Sequence, residues 1–174
     1  MKSLGMTKEE FMQKAYDLAA YNEAVFKGCS QAIVAAFQDL LGLKDILALK
    51  AASGFAGGLG RQGATCGALL GGTMIIGMKY GRANLEDYYS FQRTFPVVVK
   101  LCEMFKKEFG SLNCRDITGL DLTDPEVIRE FYVSGRHDRE CALVAGKTAR
   151  MVAGILDDFE QELLFDISQL QPVR

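Results

Sequence analysis

The chain has 174 residues, 49% of them hydrophobic, which is enough for one buried core. Its net charge of −2, with acids and bases interspersed, excludes the basic footprint of a nucleic-acid-binding protein. A lone histidine, His137, excludes a multi-histidine metal centre; five cysteines with no Cys-x-x-Cys pair leave metal ligands, catalytic thiols or inert core in a reducing compartment.

The first residues, MKSLGMTKEEFMQKAYD, contain no apolar signal-peptide core and no cleavage site, so a cytoplasmic protein is expected. Thr7-Lys8-Glu9-Glu10 reads as a capping box. Phe11, Ala15, Leu18, Ala19, Val25 and Phe26 then form an apolar stripe at helical spacing, predicting a helix to about Lys27 that Gly28 ends. Cys29-Ser30 opens a second helix, Gln31 to Leu41, with Ile33, Val34, Ala36 and Phe37 facing the core. Leu43 to Ala51 predicts a short third helix stopped by Ser53-Gly54.

The glycine-rich stretch from Ala52 to Gly81 follows. Gly63, Gly67 and Gly71 recur every four residues and would share one helix face. Glycine within a helix costs about 1 kcal/mol relative to alanine, so the pattern calls for close approach of another helix or of a bound group. Cys66 lies about one turn after Gly57-Gly58-Leu59-Gly60, near an expected helix N-terminus, where partial positive charge favours a thiolate. Gln62 to Met78 is uncharged but contains five glycines and falls short of the roughly 20 residues of a membrane span, so a buried helix is expected. Gly58-Leu59-Gly60-Arg61-Gln62-Gly63 matches G-x-G-x-x-G, yet no strand pattern precedes it as a dinucleotide site requires.

Asn84, with Asp87 three residues on, reads as an N-cap for a helix to about Phe109 that contains Pro96 and Cys102. Tyr88, Tyr89, Phe91 and Phe95 along it read as core packing or a helix–helix interface. After the turn Gly110 to Asn113 comes Cys114-Arg115-Asp116, and Thr123-Asp124-Pro125-Glu126 reads as a second capping box. Ser134 to Glu140 breaks the pattern. The last helix carries Cys141, Val144, Ala145, Ala149, Val152, Ile155, Leu156 and Phe159. No segment alternates as a strand would. The expected architecture is all-α: one single-domain bundle of six to eight helices around the glycine-rich helix.

Cys29, Cys66, Cys114 and Cys141 each fall near an expected helix start or after a glycine turn, whereas Cys102 sits mid-helix among apolar neighbours as core. Four thiolates at helix N-termini would suit an iron–sulfur cluster or tetrahedral zinc. Buried inert cysteines and thiol–disulfide exchange remain alternatives, the latter with Cys66 as the low-pKa thiol and Cys29 or Cys114 resolving. Arg115 beside Cys114 either offsets a negative cluster or makes an ordinary surface salt bridge, and Arg61 has the same two readings. His137 lies four residues before Cys141, a spacing that would permit a ligand pair. Its charged neighbours favour a solvated surface histidine.

The strings Gly28-Cys29-Ser30-Gln31-Ala32, Cys66-Gly67-Ala68-Leu69-Leu70-Gly71 and Gly110-Ser111-Leu112-Asn113-Cys114-Arg115, followed by Cys141, resemble the C_GCAxxG_C_C family. That family is named for its four cysteines and its Cys-Gly-Ala-x-x-Gly box, and redox activity is inferred for it. Its pattern is similar to the helical, non-haem part of split-Soret cytochromes c. That resemblance implies an iron–sulfur centre on Cys29, Cys66, Cys114 and Cys141, and a cluster of the two-iron type is expected there. Haem chemistry does not carry over, because no Cys-x-x-Cys-His site is present. The expectation is therefore an electron-transfer protein whose cluster lies in a crevice lined by Gly63, Gly67 and Gly71, with Arg115 offsetting its charge and zinc as the other metal. It would serve a redox partner protein; the aromatic helix face and the glycine-rich helix are compatible with a homodimer.

Overall fold

Residues 5–43 and 45–162 are described by the computed structural model, with side chains up to 158. Helix α1 (Lys8–Phe26) begins at Thr7, whose hydroxyl accepts from the Glu10 N–H while the Glu10 carboxylate accepts from the Thr7 N–H. Its buried face is Phe11, Ala15, Ala19 and Glu23, one residue every four. That face lies against α9 (Arg136–Glu162), whose Ala145, Ala149 and Ala153 are equally buried. Alanines on both sides let the two axes approach closely. The pair is antiparallel: Lys8 meets Asp158 at one end, and Lys27 meets Asp138 at the other. Val25 and Phe26, expected on the apolar stripe, are exposed at the end of the helix. Phe159, expected on the α9 stripe, has its side chain outside the described residues.

Helix α2 (Cys29–Leu41) starts from Gly28 in the left-handed conformation and buries Ile33, Val34, Ala36 and Phe37. Helix α3 (Ile46–Ala51) starts later than its apolar pattern predicts, where the Asp45 carboxylate caps the Ala48 N–H. It does not stop at Ser53-Gly54 but runs on as a 3₁₀ turn, Ala52–Phe55. The buried Ser30 hydroxyl donates to the Ala52 carbonyl at 2.7 Å and ties that turn to α2. A further single turn, α4 (Ala56–Leu59), is broken by left-handed Gly57 and Gly58.

Helix α5 (Gly67–Tyr80) is the centre, packing on α2, α6 and α9. A Cβ on Gly71 would stand 2.6 Å from the Ser30 carbonyl oxygen, and one on Gly67 would stand 2.5 Å from the Cys29 sulfur. The absent side chains thus admit the backbone of α2. Gly63 does not share this face. It lies in the preceding loop at φ +73°, so α5 begins one turn later than the four-residue glycine repeat implies.

Helix α6 (Tyr88–Phe109) is capped by Asp87, which accepts from the Ser90 N–H; Asn84 instead caps the turn before it, accepting from the Asp87 N–H. The aromatic run on α6 is not core: Tyr88 and Phe95 are about half exposed, Phe95 edge-on and Tyr88 tilted against Phe91, over which Arg82 sits at 4.3 Å. Helix α7 (Cys114–Thr118) leads to α8 (Pro125–Val133), whose cap is Asp124 rather than Thr123. Thr123 bonds back to Asp121 instead of closing a capping box with Glu126. The polar stretch before Cys141 does not break the last helix, which already begins at Arg136. Among the described residues there is no strand, only an isolated bridge between Thr65 and Asn113, and no helix is long and apolar enough to cross a membrane. The all-α bundle around the glycine-rich helix is as expected.

A candidate metal centre lined by four cysteines

Four distant stretches bring their cysteines to one cavity. Cys29 is the first residue of α2, Cys66 the N-cap of α5, and Cys114 the first residue of α7. Cys141 is not at a helix start; it lies on the second turn of α9, because the helix begins at Arg136. Backbone bonds lock two of these positions together: the Cys66 N–H donates to the Leu112 carbonyl at 2.8 Å, and the Cys114 N–H donates to the Ala64 carbonyl at 2.7 Å. All four cysteines line one cavity of about 470 Å³ and are free thiols. Cys102 does not line it; half-buried on α6, it packs against the core.

Gly63, Gly67, Gly71 and Arg115 do not line this cavity. The glycines shape it from behind: Gly67 admits the Cys29 sulfur, and a Cβ on Gly63 would lie 2.9 Å from the Arg115 Cβ. The Arg115 guanidinium points to the surface and pairs with Asp121 at 2.8 Å, each side chain about half exposed. The lining glycines are Gly28, Gly57 and Gly60, and the lining cations Lys27 and Arg61. The G-x-G-x-x-G string belongs to this wall, with Gly58, Leu59, Gly60, Arg61 and Gly63 all at positive φ. The non-glycine residues in the left-handed region among those described are Lys27, Leu59 and Arg61, two on the cavity wall and one between wall glycines. Each such conformation costs about 1–2 kcal/mol and persists where the surroundings over-determine it.

The electrostatics of the thiols are set by burial. The backbone at Ala68 and Leu69 favours the Cys66 thiolate, as a helix N-terminus predicts, and that at Gly57 and Ser30 favours the Cys29 thiolate. Desolvation nevertheless outweighs them. Burial, then the neighbouring Cys114, pushes the Cys66 thiol up to about 12; burial, then Cys29, pushes Cys114 up to about 11. Cys29 and Cys141 are raised further by the same burial and by the other cavity thiols and Glu23. Burial thus works against the low-pKa thiolate expected at Cys66 in the metal-free chain.

Two residues at this site contradict or escape the sequence reading. His137 is not a solvated surface residue but is buried, with Nε2 2.9 Å from the Glu23 Oε1 and Nδ1 3.0 Å from the Asp138 Oδ1. Glu23, 1% exposed, also lines the cavity, and its Oε2 has no hydrogen-bond partner. Burial pushes the Glu23 carboxyl up despite the imidazole beside it. Burial pulls His137 down, but the hydrogen bonds to Glu23 and Asp138 outweigh it and raise its pKa. The signal for both was positional. Glu23 continues the Phe11, Ala15, Ala19 register of α1, and His137 continues the Cys141, Ala145, Ala149 register of α9.

Comparison with curated proteins and with solved structures gives no match. A family model matches residues 28–155, from the glycine before Cys29 to beyond Cys141, under the description "Putative redox-active protein (C_GCAxxG_C_C)". With most of its length covered, and with the four cysteines of the pattern lining one cavity, the chain belongs to the C_GCAxxG_C_C family.

Proposed function

We propose that the protein carries electrons through an iron–sulfur cluster, of the two-iron type, held by the thiolates of Cys29, Cys66, Cys114 and Cys141, and exchanges them with a partner protein. The observation that carries this reading is that four cysteines from four separate stretches line one cavity. The donor set fits the group, since soft thiolates select iron–sulfur clusters or zinc. The cavity, at about 470 Å³, exceeds the roughly 30 Å³ of one water many-fold and suits a polynuclear centre better than a lone ion. Burial opposes ionisation of the four thiols and of Glu23, and a bound positive metal charge would reverse that balance and hold the ligands as anions. The amides of Ala68, Leu69, Gly57 and Ser30 would donate to the bound sulfurs, and the apolar wall of Ile117, Leu122, Ile128 and Phe131 would exclude water. When bound, the cluster supplies one-electron transfer at a potential that those donors and that burial tune.

Thiol–disulfide exchange through Cys66 with Cys29 or Cys114 finds less support, because each of these thiols is held neutral by burial. Anaerobic reconstitution with iron and sulfide tests the proposal. A coloured protein with stoichiometric iron and sulfide, lost in Cys66→Ala and Cys114→Ala and kept in Cys102→Ala, is the expected result. A colourless, iron-free chain after reconstitution would sink it.

A further inference from the structure

The cysteines leave part of the cavity unexplained. Glu23, His137 and Cys141 form a cluster of their own, with one oxygen, one nitrogen and one sulfur all within 4.8 Å of one another. That is about the span that metal–ligand bonds of roughly 2.0–2.3 Å bridge. The Glu23 Oε2, on a side chain 1% exposed, has no hydrogen-bond partner. A buried carboxylate oxygen left unpaired costs about 1–3 kcal/mol or more, so a buried Glu23–His137 pair is an incomplete account of the site. Glu23 also lies outside the span of the family match, so the cysteine pattern does not assign it.

The geometry points to an alternative metal site that takes Cys141 from the proposed cluster: in the cluster-free chain, Glu23, His137 and Cys141 bind a single divalent transition-metal ion of borderline softness, zinc or ferrous iron in class. One carboxylate and one thiolate carry two negative charges, which a divalent ion neutralises. The mixed oxygen, nitrogen and sulfur donor set suits such an ion rather than calcium or magnesium. The supporting shell is in place. The His137 Nδ1 lies 3.0 Å from the Asp138 Oδ1, and Nε2 lies on the Glu23 side, 2.9 Å from its Oε1. This carboxylate–histidine arrangement fixes the ring for metal ligation. The imidazole is further held by Tyr132, with ring centroids 4.6 Å apart, and by Phe131, edge-on at 5.5 Å. Arg136 covers the far side of Phe131 at 5.6 Å, and the main-chain run from α8 into α9 places all of these groups within ten residues of Cys141.

Cys141 cannot serve this ion and the cluster at once, so the test uses the reduced, iron-free full-length chain with cobalt or zinc alone. One cobalt ion per chain should bind with a near-ultraviolet sulfur-to-cobalt band. X-ray absorption of the zinc-loaded protein should show a first shell of one sulfur with nitrogen and oxygen. Glu23→Gln and His137→Gln should each weaken cobalt binding by roughly tenfold or more, while Cys102→Ser leaves it unchanged. A first shell made of sulfur alone, binding in E23Q and H137Q equal to that of the parent, or no stoichiometric binding would each overturn the assignment. The absorption measurement needs no variant, so it decides the matter even if a substitution unfolds the chain. Loss of iron–sulfur reconstitution alone would count against the cluster and leave this site standing.

Discussion

Gly71 and Gly77 belong to the same helix and differ only in what surrounds them. At Gly71 an added methyl would meet the Ser30 carbonyl oxygen at 2.6 Å and the Ser30 Cα at 3.0 Å, both backbone atoms that cannot swing aside. Gly71→Ala should therefore lower stability by roughly 1–3 kcal/mol as α2 and α5 are forced apart. At Gly77 nothing lies within 4 Å of the added methyl, and the backbone is helical. Gly77→Ala should raise stability by up to about 1 kcal/mol through the lost flexibility of the unfolded chain. Urea unfolding of the two variants measures both signs, and equal effects would show that contact with α2 is not what reserves position 71 for glycine. The same contrast separates what the glycine repeat revealed from what it concealed. Spacing marked Gly67 and Gly71 as a helix–helix contact, whereas Gly63, equally spaced, serves a left-handed loop that no periodicity distinguishes.

At the scale of elements, helix interiors were legible and helix ends much less so. The buried faces of α1, α2 and α9 follow the apolar spacing, because burying a stripe is what stabilises each helix. Caps were harder wherever two eligible residues compete within one turn, as Asn84 with Asp87 and Thr123 with Asp124 do. The start of α9 was hidden for a different reason: Arg136 to Glu140 looks like a polar loop, yet its Arg136–Glu140 pair spans one helical turn and His137 turns inward. Asp87 offers a test of the cap assignment. Hydrogen bonds from Ser90, with Arg93 and Arg82 nearby, hold its carboxyl below the ordinary value. A carboxyl depressed in the folded state contributes stability that is complete above its unfolded pKa of about 3.9 and is lost as pH falls through the folded value. Asp87→Asn keeps a capping side chain without the charge. The stability advantage of the parent over D87N should therefore shrink between pH 7 and about pH 2, as urea midpoints would report. A gap independent of pH would place the ionised cap elsewhere.

For the molecule as a whole, the decisive competition is between helix N-termini, which draw cysteine toward thiolate, and burial, which opposes it. The cysteine placement displays only the first, since helix starts follow from glycine and capping residues while burial emerges from packing among α1, α2, α5, α7 and α9. That is why the positions of Cys29, Cys66 and Cys114 could be read from the chain but their protonation could not, and why Glu23 and His137 stayed hidden until α1 met α9. Burial wins by a wide margin. With Cys66 pushed up to about 12 and Cys114 to about 11, both thiols are protonated at pH 8. Cys29, Cys141 and Cys102 are all partly exposed, but Cys29 and Cys141 are raised by the other cavity thiols and Glu23 as well as by burial, whereas Cys102 stands on α6, away from the cavity and its thiols. Alkylation of the native, metal-free chain with iodoacetamide at pH 8 should accordingly modify Cys102 first, with Cys29, Cys66, Cys114 and Cys141 reacting only after denaturant opens the cavity. Mass spectrometry of timed digests reads the order directly. Were Cys66 to label ahead of Cys102 in the folded chain, the α5 N-terminus would be outweighing desolvation, and a reactive thiol rather than a metal ligand would be the better account of that position.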